Sequence, residues 1–504
     1  MRPSGMRALL FTTVFIIATC GLVYELIAGT VASYLLGDSV TQFSLVIGVY
    51  LFAMGMGSLA SKYIERDLIT WFIRVELLVG LVGGISSTLL FLLFGEVAYF
   101  HVVLYLLVFL TGAFVGLEIP LLMRILKDQV EFRSLVANIF TFDYVGALLA
   151  SVIFPLVLMP YLGILRTSYL IGLLNVAVGL VLLHRFKSEV RRPQGLQATA
   201  VVLLLGFAVA FALADRVQTF TEGLAYNGPI IHAESTPYQR IVVTREHDGL
   251  RLYLNGNLQF STYDEYRYHE ALVHPAFMHA RRADRVLVLG GGDGLALREV
   301  LKHKGVQHVD LVDLDPAMTR LFSSNSTFRA LNQGAFQDPR VAVHNADAFI
   351  WLRAADAAYD VVIIDFPDPN SFSLGKLYTT TFYRTLQERL HANSVIAVQS
   401  TSPFVATASY WCIHNTLRAV GLNVEPYHVY VPSFGDWGFF LASPSALQVE
   451  PVDPEVDRRF LDDRTFAEAR YFPRDVAWRS TEINRLNNQA LVRLFEEEWS
   501  RVGQ

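Results

Sequence analysis

The amino-acid sequence predicts an α-helical transmembrane bundle followed by an α/β domain with a mostly parallel sheet. Of its 504 residues, 53% are hydrophobic and only 17% are charged, and the apolar residues concentrate before residue 215. Soluble domains of ordinary composition are less apolar, and their hydrophobic residues are spread more evenly. From residue 286 onward, apolar strands alternate with helical segments. The chain therefore divides into a membrane half and a half of globular composition.

Seven apolar stretches fill the membrane half, and each approaches the roughly 17–25 residues that a bilayer-crossing helix needs. They lie near residues 8–29, 40–61, 69–94, 99–123, 137–159, 165–184 and 198–214. A single cleaved signal peptide does not explain this pattern, because six further stretches follow the first. We therefore expect a multi-pass protein of the cell membrane, with the lipid bilayer as a partner.

The basic residues of the membrane half fall in alternate loops, and this predicts its orientation. Arg2 and Arg7 precede the first stretch, and basic residues also follow the second, fourth and sixth stretches. Only Arg166 lies in the loops of the opposite side. The positive-inside rule then predicts a cytoplasmic N-terminus. The last stretch is the shortest, so the sequence leaves open which side of the membrane the globular half occupies.

Ionisable residues also lie within or at the ends of these apolar stretches. They are Glu25, Arg74, Glu76, Glu118 and Asp143. A charge at membrane depth is costly, which indicates either pairing between helices or a functional polar site. Glycines at 55–57 and 80–84 favour close helix packing.

Charge and cysteine content exclude several kinds of partner. A net charge of -5 gives no indication of a basic surface, so no nucleic-acid partner is expected. Cys20 and Cys412 lie far apart in the chain. We expect them to be small buried hydrophobes, with no disulfide and no metal site.

The boundaries of the expected domains follow from these changes in composition. We expect a transmembrane domain, a linker with a small antiparallel β-sheet, a doubly wound α/β domain and a helical tail, at residues 1–215, 216–280, 281–450 and 451–504. The small sheet is predicted because the turn signals Asp248-Gly249 and Asn255-Gly256 interrupt β-type runs. The α/β domain is predicted because apolar strands alternate with helices.

Acidic residues follow the strands of the predicted α/β domain, where ligands of such sheets bind. They are Asp293, Asp313, Asp347 and Asp365, with Asp368 just beyond. Asp313 follows Gly292 by 21 residues, the spacing at which an acid binds ribose hydroxyls. The turn GGGDG lacks the spacing of a GxGxxG motif, so nicotinamide binding is a minor alternative.

Asp293 stands in the middle of this glycine-rich turn, where its carboxylate would repel an anionic ligand. A ligand with an ammonium group would gain a charge-assisted hydrogen bond there. Asp365 and Asp368 fit a site that binds a second cation and removes its proton. The structural alternative is a turn whose aspartates cap the next helix.

Residues 235–445 resemble the polyamine aminopropyltransferases, the spermidine synthase family. The motifs are YQRI, LNGNLQ, DEYRYHEALVHP, GGGDG, DLD, NADA and DFPDP, and Gln399 also matches. The apolar half, with GLVYELIAG and GLEIPLLMR, resembles the membrane-fused branch of that family. The resemblance implies a Rossmann-like, methyltransferase-type domain and soluble relatives that form dimers or tetramers, hence a homo-oligomer as a further partner.

The resemblance also implies a reaction and the residues for it. Decarboxylated S-adenosylmethionine would be a co-substrate, with no bound cofactor, and a di- or polyamine, putrescine by default, would accept its aminopropyl group. Donor-binding residues would be Gln239, Gln259, His269, Asp293, Asp313 and Asp347, with Asp313 on the ribose and Asp347 on the adenine amino group. The amine site would comprise Tyr268, Asp365, Asp368 and Gln399, with Asp365 as the catalytic base.

Some positions depart from the family pattern and leave the acceptor open. Asp313 stands where glutamate is usual, Phe366 and Pro367 replace small hydroxyl residues, and Phe434 replaces a tyrosine. Spermidine, cadaverine or a substituted amine are therefore alternatives to putrescine. Two other functions fit the sequence: an S-adenosylmethionine-dependent methyltransferase, and a membrane polyamine sensor or transporter with a synthase-like binding domain.

Overall fold

The computed structural model describes residues 3–36, 39–93, 100–127, 131–223, 226–448 and 455–501. The chain separates into two compact units, Met1–Asn227 and Gly228–Gln504. Arg2, the loop 94–99 and residues 451–454 and 502–504, which belong to the predictions of orientation, spans and tail, lie outside the described residues.

Long apolar helices build the first unit. They are α1 (Pro3–Leu36), α2 (Ser39–Ala60), α3 (Leu68–Leu93), α4 (Phe100–Leu126), α5 (Phe132–Ile153), α6 (Met159–Arg185) and α7 (Pro193–Ala212), followed by the polar α8 (Ala214–Gly223). Within the described ranges, six helical stretches are long and apolar enough to cross a membrane. The sequence predicts seven, because α5 and α6 are counted there as two spans, whereas they form one stretch, Phe132–Arg185.

A kink divides this stretch where the sequence predicts a break between spans. Phe154–Leu158 forms a π-helical turn, and Gly163 leaves helical geometry with φ 70° and ψ -177°. Proline lacks the N–H that an α-helix needs; Pro155 lies within this turn and Pro160 lies just after it. The predicted stretches 137–159 and 165–184 are therefore two arms of one kinked helix.

Glycines set the distance between α2 and α4. A β-carbon at Gly57 would overlap the backbone carbonyl of Ala113, and one at Gly116 would overlap the backbone of Met54. Gly55 has no atom of another residue near its β-position. Small residues let helix backbones approach closely, so Gly57 and Gly116 are the contact points of this helix pair.

A four-stranded antiparallel sheet begins the second unit, as the sequence predicts. Its strands β1 (Ile230–Ser235), β2 (Arg240–Glu246), β3 (Gly249–Leu254) and β4 (Asn257–Ser261) lie side by side in chain order. The turn between β3 and β4 consists of Asn255 and Gly256, with φ 50° and 82°. This is the backbone that an Asn-Gly hairpin turn requires.

A seven-stranded sheet forms the rest of this unit, in the order β10-β11-β9-β8-β5-β6-β7. Its strands are β5 (Arg285–Gly290), β6 (His308–Asp313), β7 (Val341–Asn345), β8 (Tyr359–Asp365), β9 (Leu390–Gln399), β10 (Asn423–Val431) and β11 (Gly435–Ser443). Neighbouring pairs from β9 to β7 are parallel, whereas β11 is antiparallel to both β9 and β10. The strand order reverses between β5 and β8, which is the switch point where such sheets bind ligands.

Helices connect these strands. They are α9 (Glu265–His279), α10 (Leu295–Leu301), α11 (Pro316–Ser324), α12 (Ser326–Leu331), α13 (Ala348–Ala354), α14 (Phe372–Gly375), α15 (Thr380–Gln387) and α16 (Thr407–Ala419). Buried side chains form a core on each face of the sheet, with Val288 in one and Leu289 in the other.

The segment expected to be a helical tail is mostly irregular, which corrects that prediction. Among its described residues only α17 (Asp463–Ala469) and α18 (Ala490–Trp499) are α-helical. Side chains hold the backbone between them: the Trp411 indole donates to the carbonyl of Val476 at 3.0 Å, and the Asn484 amide donates to that of Gly375 at 3.1 Å. These contacts to the α/β core compete with the regular hydrogen bonds of a continuous helix.

The close approach of α2 and α4 predicts a difference between two neighbouring glycines. Gly57→Ala should lower the apparent melting temperature of the detergent-solubilised chain, because overpacking costs about 1–3 kcal/mol. Gly55→Ala is the matched control and should change it little. Equal melting temperatures for the two variants would contradict the packing described for Gly57.

Candidate active site

The strand register aligns the predicted polar residues along one edge of the sheet. Gly290 lies opposite Asp365 in the pairing of β5 with β8. The pairings of β5 with β6 and of β8 with β9 extend this row to Asp313 and Gln399. Residues from four neighbouring strands therefore meet at the switch point.

Glycines bring the turn after β5 against the end of β8. Gly290 and Gly291 have φ values of 82° and 67°, which side-chain-bearing residues rarely adopt. A β-carbon at Gly290 would overlap the carbonyl of Asp365, and one at Gly291 would lie 3.2 Å from Asp365 Oδ2. The Asp365 carboxylate therefore lies directly beside the glycine-rich turn.

Asp293 is buried in this turn, and its Oδ1 accepts a hydrogen bond from the backbone N–H of Leu295 at 2.8 Å. Burial raises the pKa of Asp293 to about 6, although His269 acts to lower it. A ligand cation would stabilise the ionised form of this carboxylate.

Asp313 is also held by the turn. Its Oδ2 accepts from the N–H of Gly292 at 3.0 Å, and its Oδ1 accepts from the N–H of Asp315 at 2.9 Å. Burial raises the pKa of Asp313 to about 6. Asp315 in turn accepts from the Gln239 amide at 2.9 Å, which attaches this predicted donor residue to the same edge.

Gln259 and Asp347 make their hydrogen bonds to residues other than those in the row at the strand ends. The Gln259 amide donates to the carbonyl of Asn257 at 3.1 Å, which keeps it on its own strand. Asp347 caps α13 by accepting from the N–H of Phe349 at 2.9 Å, and its other oxygen lies 2.6 Å from Lys376 Nζ. Burial acts to raise the pKa of Asp347, but Lys376 and the capping N–H groups lower it, and the net shift is downward.

Tyr268 connects α9 to the end of β8. Its hydroxyl donates to Asp365 Oδ1 at 2.7 Å. Burial raises the pKa of Asp365, while His269 and the Tyr268 hydrogen bond lower it. A carboxylate with a raised pKa is better suited to accept a proton from a bound cation.

His269, the neighbour of Tyr268 on α9, holds a positive charge among these acids. Its Nδ1 lies 2.9 Å from Glu265 Oε2, and Arg298 donates to both oxygens of Glu265 at 3.0 and 2.9 Å. Burial lowers the pKa of His269, but Glu265 and then Asp293 and Asp365 raise it to about 8. The imidazole is therefore protonated at neutral pH.

Gln399 and Asp368 lie on the far side of Asp365. The Gln399 amide donates to the Tyr378 hydroxyl at 3.1 Å and to the Phe366 carbonyl, and its Oε1 accepts from the Trp437 indole at 3.3 Å. Gln399 thus fixes the loop after β8. Burial raises the pKa of Asp368 to about 7, and its Oδ1 has no hydrogen-bond partner within the described part of the chain.

Phe434 completes an apolar wall beside these carboxylates. Its ring centroid lies 6.1 Å from that of Tyr268 and 5.1 Å from that of Trp437. Ser433, the residue before it, donates its N–H and hydroxyl to the Asp264 carboxylate at 2.6 and 2.8 Å. The loop is therefore anchored to the start of α9.

The structure brings together Tyr268, His269, Asp293, Asp313, Asp365, Asp368 and Gln399 at one edge of the sheet. Residues that the sequence did not single out support them: Glu265, Arg298, Asp315, Lys376 and Trp437. Glu265 lies four residues before His269, one helical turn away, and this spacing is a signal that could have indicated it.

Comparison with known proteins points to one family. A model described as the spermine/spermidine synthase domain matches residues 265–452. The polyamine aminopropyltransferase of Leptospira interrogans is 51% identical, with 99% of this chain and 100% of that protein covered. Polyamine aminopropyltransferase 2 of Ralstonia nicotianae is 53% identical, with 98% and 99% covered. A solved spermidine synthase in complex with the transition state analogue AdoDATO is 26% identical, with a TM-score of 0.43 and 48% of this chain and 85% of that chain covered.

The contact between Glu265 and His269 predicts the titration of the histidine. In Glu265→Gln the pKa of His269 should fall from about 8 to below its ordinary 6.5. Burial lowers this pKa, and the Glu265 carboxylate that raises it would be gone. NMR titration of the labelled His269 imidazole measures this directly. Glu468→Gln, which removes an exposed partner of Arg464, is the control. An unchanged His269 pKa in Glu265→Gln would refute the assignment.

Proposed function

The chain belongs to the polyamine aminopropyltransferase family, and we propose that it transfers the aminopropyl group of decarboxylated S-adenosylmethionine to a diamine. The observation that carries this proposal is the contact of Tyr268 with Asp365, 2.7 Å long, beside the turn that holds Asp293. One carboxylate is available to each cation of the reaction, the donor's ammonium and the acceptor's amine.

Proton removal comes first in the reaction that this geometry supports. The acceptor arrives as an ammonium ion, and Asp365 takes one of its protons. The freed nitrogen lone pair forms a bond to the carbon next to the donor's sulfonium sulfur. The carbon–sulfur bond breaks with its electrons on sulfur, and methylthioadenosine leaves. Alignment of the nitrogen with that carbon supplies much of the remaining rate acceleration.

The donor is recognised, in this proposal, through the glycine-rich turn and its surroundings. Asp313 binds the ribose and Asp347 the adenine amino group, while Gln239, Gln259 and His269 line the remainder of the donor site. Asp293 binds the ammonium of the aminopropyl arm and repels the carboxylate that S-adenosylmethionine would bring. Donor choice then depends on repulsion as well as attraction.

The acceptor occupies the space between Asp365 and Asp368, with putrescine as the default. The two carboxylates suit the two charged ends of a diamine, whose methylene chain would lie against the apolar ring of Phe434. Asp368 is half-buried, and its Oδ1, which has no hydrogen-bond partner among the described residues, supports a role in binding a cation. Gln399 orients the loop that carries both aspartates. No metal or bound cofactor enters this scheme.

The apolar helices are proposed to cross the cell membrane, with the N-terminus in the cytoplasm. Support comes from six long apolar helical stretches and from basic residues at helix ends, such as Lys62 after α2 and Arg124 in the last turn of α4. The kinked stretch Phe132–Arg185 has 54 residues, about 80 Å at 1.5 Å per residue, so its two arms can each span the bilayer. Assembly with further copies of the chain stays a prediction.

A reporter that is active only in the cytoplasm tests this orientation when it is fused before Met1. We expect activity in intact cells, because the basic loops hold the N-terminus on that side. The same reporter fused with the first apolar stretch alone is the control for export. Loss of activity in the full-length fusion would contradict the orientation.

Replacement of the base tests the proposed reaction. Asp365→Asn should lower the rate of spermidine formation from decarboxylated donor and putrescine by about 10²–10⁴-fold, the range for loss of a general base. Product analysis by mass spectrometry also distinguishes methylthioadenosine from the adenosylhomocysteine that a methyltransferase would release. Asp356→Asn, at an exposed position ahead of β8, is the matched control. A fully active Asp365→Asn would rule out the proposed base.

Donor selection has its own test at Asp293. Asp293→Asn should reduce kcat/KM for the decarboxylated donor by roughly 10–100-fold, since a hydrogen bond to a charged group contributes about 1.5–3 kcal/mol. The ratio of this value to that for S-adenosylmethionine should fall as well. Asp313→Asn should weaken both donors alike, because both contain ribose. An unchanged ratio in Asp293→Asn would count against the selector role.

A further inference from the structure

Two glutamates are buried in the interior of the helical unit. Glu76 of α3 is 0% exposed and Glu118 of α4 is 2% exposed. Each has one carboxylate oxygen, Oε1, without a hydrogen-bond partner among the residues that the structure describes. The two side chains are close enough to interact electrostatically. We call this pair the bundle carboxylates.

Two polar side chains from other helices adjoin the bundle carboxylates. The Asn175 amide of α6 donates to Glu76 Oε2 at 3.1 Å. The Tyr24 hydroxyl of α1 lies 3.5 Å from Asn175 Oδ1, at the limit of a hydrogen bond. Residues from α1, α3, α4 and α6 thus enclose a polar position within an otherwise apolar core.

This position has more acceptors than donors. The Asn175 amide reaches only one of the four carboxylate oxygens. The arginines of α3 and α4, the helices that carry the pair, have other partners: Arg74 lies over the ring of Trp71 at 5.1 Å, and Arg124 donates to the carbonyl of Ser61 at 3.0 Å. Buried carboxylate oxygens without donors are costly, especially at membrane depth. The missing group is one that brings N–H donors and positive charge.

We propose that the bundle carboxylates bind a protonated primary amine. Such a group carries one charge and three N–H donors, which match the unpartnered oxygens of Glu76 and Glu118. Within the described ranges, no group of three or more His, Cys, Asp or Glu side chains could hold a metal ion.

The ligand is a di- or polyamine, the class of compound that the α/β domain is proposed to use. This choice rests on the proposed function, whereas the demand for an ammonium group comes from the bundle itself. The chain would then hold two amine sites, one for reaction at Asp365 and one among its apolar helices.

Binding measurements test the second site apart from catalysis. Equilibrium dialysis with radiolabelled putrescine uses the full chain in detergent, in an Asp365→Asn background. Adding Glu76→Gln or Glu118→Gln should weaken the residual binding at least tenfold. Adding Glu65→Gln, an exposed position after α2, should leave it unchanged. A monodisperse elution profile and an unshifted melting temperature show that each variant is folded.

The outcomes separate the two proposals. Putrescine binding that is equal in all variants would overturn the bundle site, and so would uptake of protons without bound amine. Displacement of putrescine by ammonium chloride at equal concentration would overturn the assignment to a di- or polyamine. Bundle binding by a chain whose unmutated form releases no methylthioadenosine would refute the proposed reaction and leave this site standing.

Discussion

A protonated histidine beside the buried Asp293 and the half-buried Asp365 is the interaction on which the rest of the site depends. Carboxylates removed from water ionise reluctantly, and several at one sheet edge repel one another. His269 offsets part of this cost for Asp293 and Asp365. Its own charge is maintained by Glu265, which is itself fixed by two hydrogen bonds from Arg298. The charge of His269 thus acts against the upward pKa shifts that burial imposes on Asp293 and Asp365.

The fold supplies the distances that this electrostatic balance needs. Parallel strands end at a common edge, so residues far apart in the chain become neighbours there. The left-handed backbone at Gly290 allows the turn after β5 to touch the end of β8. Because α9 precedes this sheet and lies against it, Tyr268 and His269 reach the same edge from outside the strands. The site is thus shared between a sheet edge and one helix.

The strands that carry the site are predictable from the sequence, whereas the edges of the sheet are not. Strands β5, β6, β8 and β9 are apolar runs followed by acids, and both signals are local. Strand β7 is short and only partly buried, and Pro426 within β10 is typical of a break in a strand. The alternation of strands and helices in the sequence therefore does not predict β7, β10 and β11. Residues such as Arg298 acquire their role only through tertiary contacts. The kink at Gly163 escapes prediction because Pro and Gly favour a loop as readily as a bent helix.

The double hydrogen bond from Ser433 to Asp264 has a consequence for how this enzyme could diverge. Asp264 immediately precedes α9, which carries Tyr268, so the loop with Phe434 and the start of this helix share one anchor. In the proposed reaction, a change of side chain at position 434 would alter the shape of the acceptor site and leave the contact between Tyr268 and Asp365 in place. Choice of amine and chemistry on the amine are separable traits, and selection can act on the first without loss of the second.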